Sequence, residues 1–141
     1  LNGTPAAYID GSAAPLYAFG HGLSYTTFAY SGLQVDVSPF ALSGQVVVEV
    51  SVRNAGDRDG KETVFVFVSD LVSSTVKPRT ELKAWEKIGL VRGETKRVRF
   101  ELGFDAFRTL DPQMRWRMEP GEFTVRVGGS LEQTLSATFC L

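Results

Sequence analysis

Gln45-Val46-Val47-Val48-Glu49-Val50-Ser51-Val52-Arg53 decides how this chain folds. Val46, Val48, Val50 and Val52 recur at every second position, with Glu49, Ser51 and Arg53 between them. Successive side chains leave opposite faces of a strand, so this period puts the valines on a core and the polar residues in water. The stretch reads as a half-buried β-strand. Asn54-Ala55-Gly56-Asp57-Arg58-Asp59-Gly60 follows it as a turn of the hairpin kind, built from residues that tolerate positive φ or bond locally to the backbone.

Outward from that strand the same period recurs. Residues 31–37 form an expected first strand, broken by Ser38-Pro39. Val98, Phe100 and Leu102 alternate inward along residues 97–102, residues 115–118 read as a further strand, and residues 123–127 alternate again after the Glu119-Pro120-Gly121-Glu122 turn. Gly128-Gly129-Ser130 turns the chain into a last strand, with Leu135, Ala137 and Phe139 on its inner face. Residues 81–88, containing Leu82, Ala84, Trp85 and Ile88, fit a short helix or an irregular strand, and residues 104–111 read as irregular. With no long helix, repeat or heptad, the chain is expected to be all-β. The form expected is an immunoglobulin or fibronectin type III-like β-sandwich of roughly seven or eight strands, with an irregular N-terminal extension.

Thr63-Val64-Phe65-Val66-Phe67-Val68 departs from the pattern, because both of its faces are apolar. Either Phe65 and Phe67 or Val64, Val66 and Val68 face inward, and the other set needs a cover or remains on the surface. Apart from that strand, Pro15-Leu16-Tyr17-Ala18-Phe19-Gly20-His21-Gly22-Leu23-Ser24-Tyr25-Thr26-Thr27-Phe28 is a strap dense in aromatics with neither helical nor strict strand periodicity. Such a segment needs something to lie against, its own sandwich or a neighbour.

Composition narrows the function. With 141 residues, 43% of them hydrophobic, the chain holds one domain with a real core. A formal net charge of -1 gives no field that concentrates nucleic acid or an anionic membrane, and neither is expected as a partner. No apolar run approaches the roughly 18 residues of a spanning helix. The single cysteine, Cys140, excludes an internal disulfide and a multi-cysteine metal site. Its solitude fits a reducing cytoplasmic compartment but also a periplasmic or secreted protein that never relied on disulfides, and the latter is the expectation for the parent protein. A chain that opens on Leu1 rather than Met is expected to be a piece of a longer one. Residues 1–15 read as linker, and Asn2-Gly3-Thr4 is formally a glycosylation sequon.

Chemistry-bearing motifs fail one by one. Gly20-His21-Gly22-Leu23-Ser24-Tyr25 places Tyr25 where a dinucleotide fingerprint needs its third glycine, and no cofactor is expected. Aligning Gly60 with the glycine of a calcium loop puts Ala55 at the first ligand and Val66 at the bidentate glutamate, so no metal site is expected there. His21 is the only histidine and no Gly-x-Ser-x-Gly elbow exists, so a structural hydrogen bond is the expected role of His21. Glu81 with Glu86, and Glu119 with Glu122, lie beside Lys83, Lys87 and Arg117, where solvated ion pairing is the default over a glycosidase pair. The basic residues Arg92, Lys96, Arg97, Arg99, Arg115, Arg117 and Arg126 are offset by Glu94, Glu101, Glu119 and Glu122. Trp85 and Trp116 are expected in the core, the alternative being platforms, with Phe65 or Phe67, for sugar rings or another domain.

On these residues the chain resembles a known family. The strap 15–28 is similar to the segment leading into the C-terminal fibronectin type III-like domain of glycoside hydrolase family 3 enzymes, the β-glucosidases and their relatives. In order there follow Val52-Arg53-Asn54-Ala55-Gly56 with Asp59-Gly60-Lys61-Glu62, then Lys77-Pro78 with Glu81-Leu82-Lys83-Ala84-Trp85-Glu86-Lys87. Gly93-Glu94-Thr95 comes next, then Glu119-Pro120-Gly121-Glu122-Phe123 with Val127-Gly128, similar to the family's closing hairpin. Ala18 stands for a usual Pro, Ala84 for Gly, Trp85 for Phe, and Phe65 for a polar residue, which adds apolar surface to what the resemblance implies is the outer face. The resemblance implies a non-catalytic accessory domain. The nucleophilic aspartate and acid/base glutamate of such enzymes lie on other domains, so no catalytic residue carries over. It also implies a division into residues 1–28, linker and strap from a preceding catalytic domain, and residues 29–141, the sandwich. Tyr17, Phe19, His21, Leu23, Tyr25, Phe65 and Phe67 are then the candidate interdomain contacts. The catalytic domains of the same polypeptide are the expected partner, and a carbohydrate polymer is a further candidate.

Overall fold

In the structure, a computed structural model, residues 14–37 and 44–141 are described. The Ser38-Pro39 break and the Asn2 sequon lie outside these residues. Among them run nine strands: β1 Phe28–Val37, β2 Val46–Asn54, β3 Gly60–Asp70, β4 Glu81–Leu90, β5 Thr95–Leu102, β6 Arg108–Leu110, β7 Trp116–Met118, β8 Glu122–Gly128 and β9 Thr134–Cys140. A single 3-10 turn, Phe104–Ala106, precedes β6.

Pairing is antiparallel throughout. The order β1-β2-β5 makes one sheet, β4-β3-β8-β9 a second, and β6-β7 a separate ribbon. Val46, Val48, Val50 and Val52 of β2 are fully buried and meet Val64, Val66 and Val68 of β3, with Val125 and Val127 of β8 beside them. Each such side chain contributes roughly 1.5–3 kcal/mol relative to leaving it in water. One end of the core is closed by Phe107, Phe123 and Phe139, Phe107 standing edge-on to the other two at centroid distances of 5.4 and 5.9 Å.

Several expectations change. β6 adds a strand where irregular chain was expected. Residues 81–88 are strand rather than helix, and the pairing slips between Val66 and Phe67, opposite Lys83, which breaks their period. β1 begins earlier than residue 31 and is bulged between Ser31 and Gln34, where Gly32 adopts φ +63°. The turn 54–60 is no hairpin, since β2 and β3 belong to different sheets; it is a corner carrying the chain from one layer to the other. The turn before Phe123 is no hairpin either, because β7 pairs with β6 and not with β8. Both tryptophans lie outside the core. Trp85, 63% exposed, sits opposite Phe65 on the outer face, and Trp116, 52% exposed, lies in the ribbon with the Arg108 guanidinium 4.1 Å from its ring.

Candidate functional site

The strap lies on the outer face of the four-stranded sheet. Because Val64 and Val66 point inward, Phe65 and Phe67 point out, and Phe19 covers them edge-on at 5.5 and 5.8 Å between ring centroids. The Leu131 amide donates to the Phe19 carbonyl at 2.9 Å, tying the strap to the turn after β8. Gly20 follows at φ +83°, and a Cβ there would stand 2.8 Å from the Gly129 carbonyl and 2.9 Å from the Phe65 ring. The His21 amide closes the bend on the Ala18 carbonyl at 2.9 Å. Ala18 is buried, and Phe67 is only 3% exposed.

At its far end the strap is fastened by Asn54, which is fully buried at the end of β2. Its Oδ1 accepts from the Thr26 hydroxyl at 2.6 Å and from the Gly56 amide at 3.2 Å, while its Nδ2 donates to the carbonyls of Arg58 and Leu90 at 2.7 and 3.1 Å. Every hydrogen-bonding position of the amide is used. Gly56 has no room for a side chain, since a Cβ there would collide with Thr26.

The candidate contacts therefore divide. Phe67 is closed off by the chain's own strap and presents nothing to a neighbour, and Phe65 is half covered by Phe19. His21 makes no side-chain hydrogen bond among the described residues; its ring lies 4.7 Å from that of Tyr17 and remains exposed. Leu23 and Tyr25, 98% and 92% exposed, touch no core at all.

Beneath the strap one polar tie joins the two sheets. Tyr30 of β1 donates its hydroxyl to Glu62 Oε1 of β3 at 2.7 Å. Burial raises the Glu62 carboxyl above its ordinary value, outweighing the hydrogen bonds from Tyr30 and the Thr63 amide that favour the anion. Burial first, and then the hydrogen bond and charge of Glu62, push the Tyr30 phenol far up. Elsewhere carboxylates are ion-paired, Asp70 with Lys77 among them. Glu81 pairs with Lys83 at 2.9 Å, Glu49 and Glu101 with Arg97 and Arg99, and Asp111 rather than Glu119 holds Arg115 and Arg117. Glu119 takes the hydroxyl and amide of Ser74 instead. Among the described residues no cluster of His, Cys, Asp and Glu could hold a metal ion.

Two antiparallel layers of three and four strands, joined by corners, define an immunoglobulin-like sandwich module. Residues 62–131 match the family model of the fibronectin type III-like domain. The chain belongs to the fibronectin type III-like domains of the family 3 glycoside hydrolases. It is 44% identical over 117 residues to the thermostable beta-glucosidase B of Acetivibrio thermocellus and 42% identical over 116 residues to a beta-xylosidase of Formosa agariphila. Each match takes in 82% of this chain but 16% of the relative. A solved β-glucosidase from Erythrobacter marinus superposes with a TM-score of 0.87 at 34% identity, over 96% of this chain and 18% of that one.

Proposed function

We propose that this chain is the non-catalytic accessory domain of a β-glucosidase-type hydrolase, stabilising the enzyme by packing on its catalytic domains. Residues 1–28 are the linker and strap leading from the preceding catalytic domain, and residues 29–141 are the sandwich. One observation carries the reading: the strap is anchored at Phe19 and Thr26, yet Leu23 and Tyr25 between them face water almost completely. A sandwich edge has no use for such side chains at an anchored segment, whereas an interface does. Tyr17 extends the same apolar surface.

The test compares two contexts. Leu23→Ser with Tyr25→Ser should leave the isolated chain as stable as the wild type, but should speed thermal inactivation of the full-length enzyme and expose its strap to protease. Equal inactivation and equal strap cleavage in mutant and wild-type enzyme would sink the reading. The isolated chain should not hydrolyse a chromogenic glucoside.

A second reading rests on Trp85, whose exposed ring beside Phe65 is the shape of a sugar platform. On that reading the module binds polysaccharide. Co-sedimentation with insoluble cellulose, xylan and chitin decides it, since an accessory scaffold stays in the supernatant and a binding module loses sedimentation on Trp85→Ala.

A further inference from the structure

A cavity of about 550 Å³ opens between the strap and the starts of β1 and β3. Leu23, Phe65 and His21 line it, and Tyr30 and Glu62 are among its polar groups. Glu62 is half-buried, on the inward side of β3 with Val64, and its only side-chain partner among the described residues is the Tyr30 hydroxyl. Lys61 and Lys87 share the cavity, yet neither forms an ion pair with Glu62. Glu132 brings a second carboxylate to the same space.

A carboxylate taken partly out of water without a cation is unfavourable for the fold that holds it. Its environment opposes the anion on balance, burial outweighing the hydrogen bonds from Tyr30 and the Thr63 amide. A mostly polar cavity with a partly desolvated acidic group on its wall, and Leu23 and Phe65 beside it, can serve as an interface socket in which a polar anchor supplies specificity. The geometry points to Glu62 as the receptor for an arginine side chain presented by the adjoining domain of the same polypeptide, seated in this cavity beneath the strap. Arginine suits it better than lysine, because a planar guanidinium can donate to the carboxylate and stack on the Phe65 or His21 ring. The inference rests on the docking of the strap and adds the residue and the charge that dock.

Glu62→Gln tests it through opposite outcomes in two contexts. The amide still accepts from Tyr30, and in the isolated chain it should leave the rate of proteolysis within the strap unchanged or lower it. In the full-length enzyme the arginine loses its counter-ion, and strap cleavage should speed up at least about tenfold. Equal effects in both contexts overturn the socket while leaving docking intact, provided that the wild-type strap is protected in the enzyme and cleaved in the isolated chain. If the wild-type strap is cut equally fast in both, docking itself fails and the socket with it. Should the variant not fold, the wild-type chain decides. N-acetyl-arginine amide should shift the Glu62 side-chain carboxyl resonance where N-acetyl-glutamine amide does not, and identical shifts with both overturn the proposal.

Discussion

The Thr26 hydroxyl donates a 2.6 Å hydrogen bond to Asn54 Oδ1, joining the strap to the buried corner between the two sheets. The same Asn54 amide also holds Gly56, Arg58 and Leu90, so one side chain ties the strap, the corner and the end of β4 together. Asn54→Ala strands the carbonyls of Arg58 and Leu90, and should cost about 2–4 kcal/mol in urea unfolding of the isolated chain. Asn54→Asp should do no better, because a carboxylate sets lone pairs against those carbonyls. A loss below about 0.5 kcal/mol for either would show that water replaces the network.

Phe67 gives the second prediction. Its burial depends on Phe19, so the strap serves the sandwich at this point even as Leu23 and Tyr25 face away from it. Phe67→Ala should cost about 3 kcal/mol and Phe19→Ala about 1 kcal/mol. A double-mutant cycle should show coupling of about 0.5–1.5 kcal/mol between them. Removing residues 1–25 should lower the urea midpoint, since Phe65 and Phe67 then meet water. An unchanged midpoint would mean that the strap belongs to the neighbour alone.

Much of this fold was legible because burial on one side of a sheet writes itself as period two. Val46 to Val52, and Val98, Phe100 and Leu102, sit where alternation puts them. The tryptophans were not legible, because their hydrophobicity says core while register decides. Trp85 falls opposite Phe65 on the outer face, and Trp116 stands half exposed on a two-stranded ribbon separate from both sheets. β4 was ambiguous because the slip opposite Lys83 shifts its phase. The corner 54–60 shows the same residues a hairpin would use, and nothing within it tells which sheet comes next. Asn54 as a buried hub and Glu62 as a half-buried acid depend on Thr26 and Tyr30, distant in sequence, and carry no local signal.

The carboxyl groups predict a two-sided dependence on pH. Glu62 binds its proton more tightly in the folded chain than in the unfolded one, so its contribution is complete below the ordinary glutamate range and is lost as pH rises through the raised value. Asp111, held down first by the Arg115 amide, and Glu119, held down by the Ser74 hydroxyl and amide, act oppositely. Their contributions are present above the ordinary carboxylate range and are lost as pH falls through the lowered values. In the isolated chain Glu62→Gln should therefore flatten the decline on the rising side. Asp111→Asn or Glu119→Gln should flatten the acid side. Urea unfolding between about pH 3 and 8 reads both slopes, and a Glu62→Gln chain that keeps the wild-type slope would count against the raised value.

Gly128 gives the last prediction, and Gly89 supplies its control. Gly128 ends β8 opposite Phe65 and Thr134, and a Cβ there would run into the Gln133 carbonyl and approach the Thr134 Cα at 3.0 Å. Both obstacles are backbone, so the β8-β9 turn itself must move. Gly128→Ala should cost about 3 kcal/mol. It should also loosen the strap, because Leu131 in the same turn donates to the Phe19 carbonyl. Gly89, within β4, has nothing within 4 Å of its missing Cβ. Gly89→Ala should be neutral or gain about 0.5 kcal/mol from a less flexible unfolded chain. Protease cleavage within residues 14–25 should accelerate for Gly128→Ala and not for Gly89→Ala, and equal cleavage would disconnect the turn from the strap.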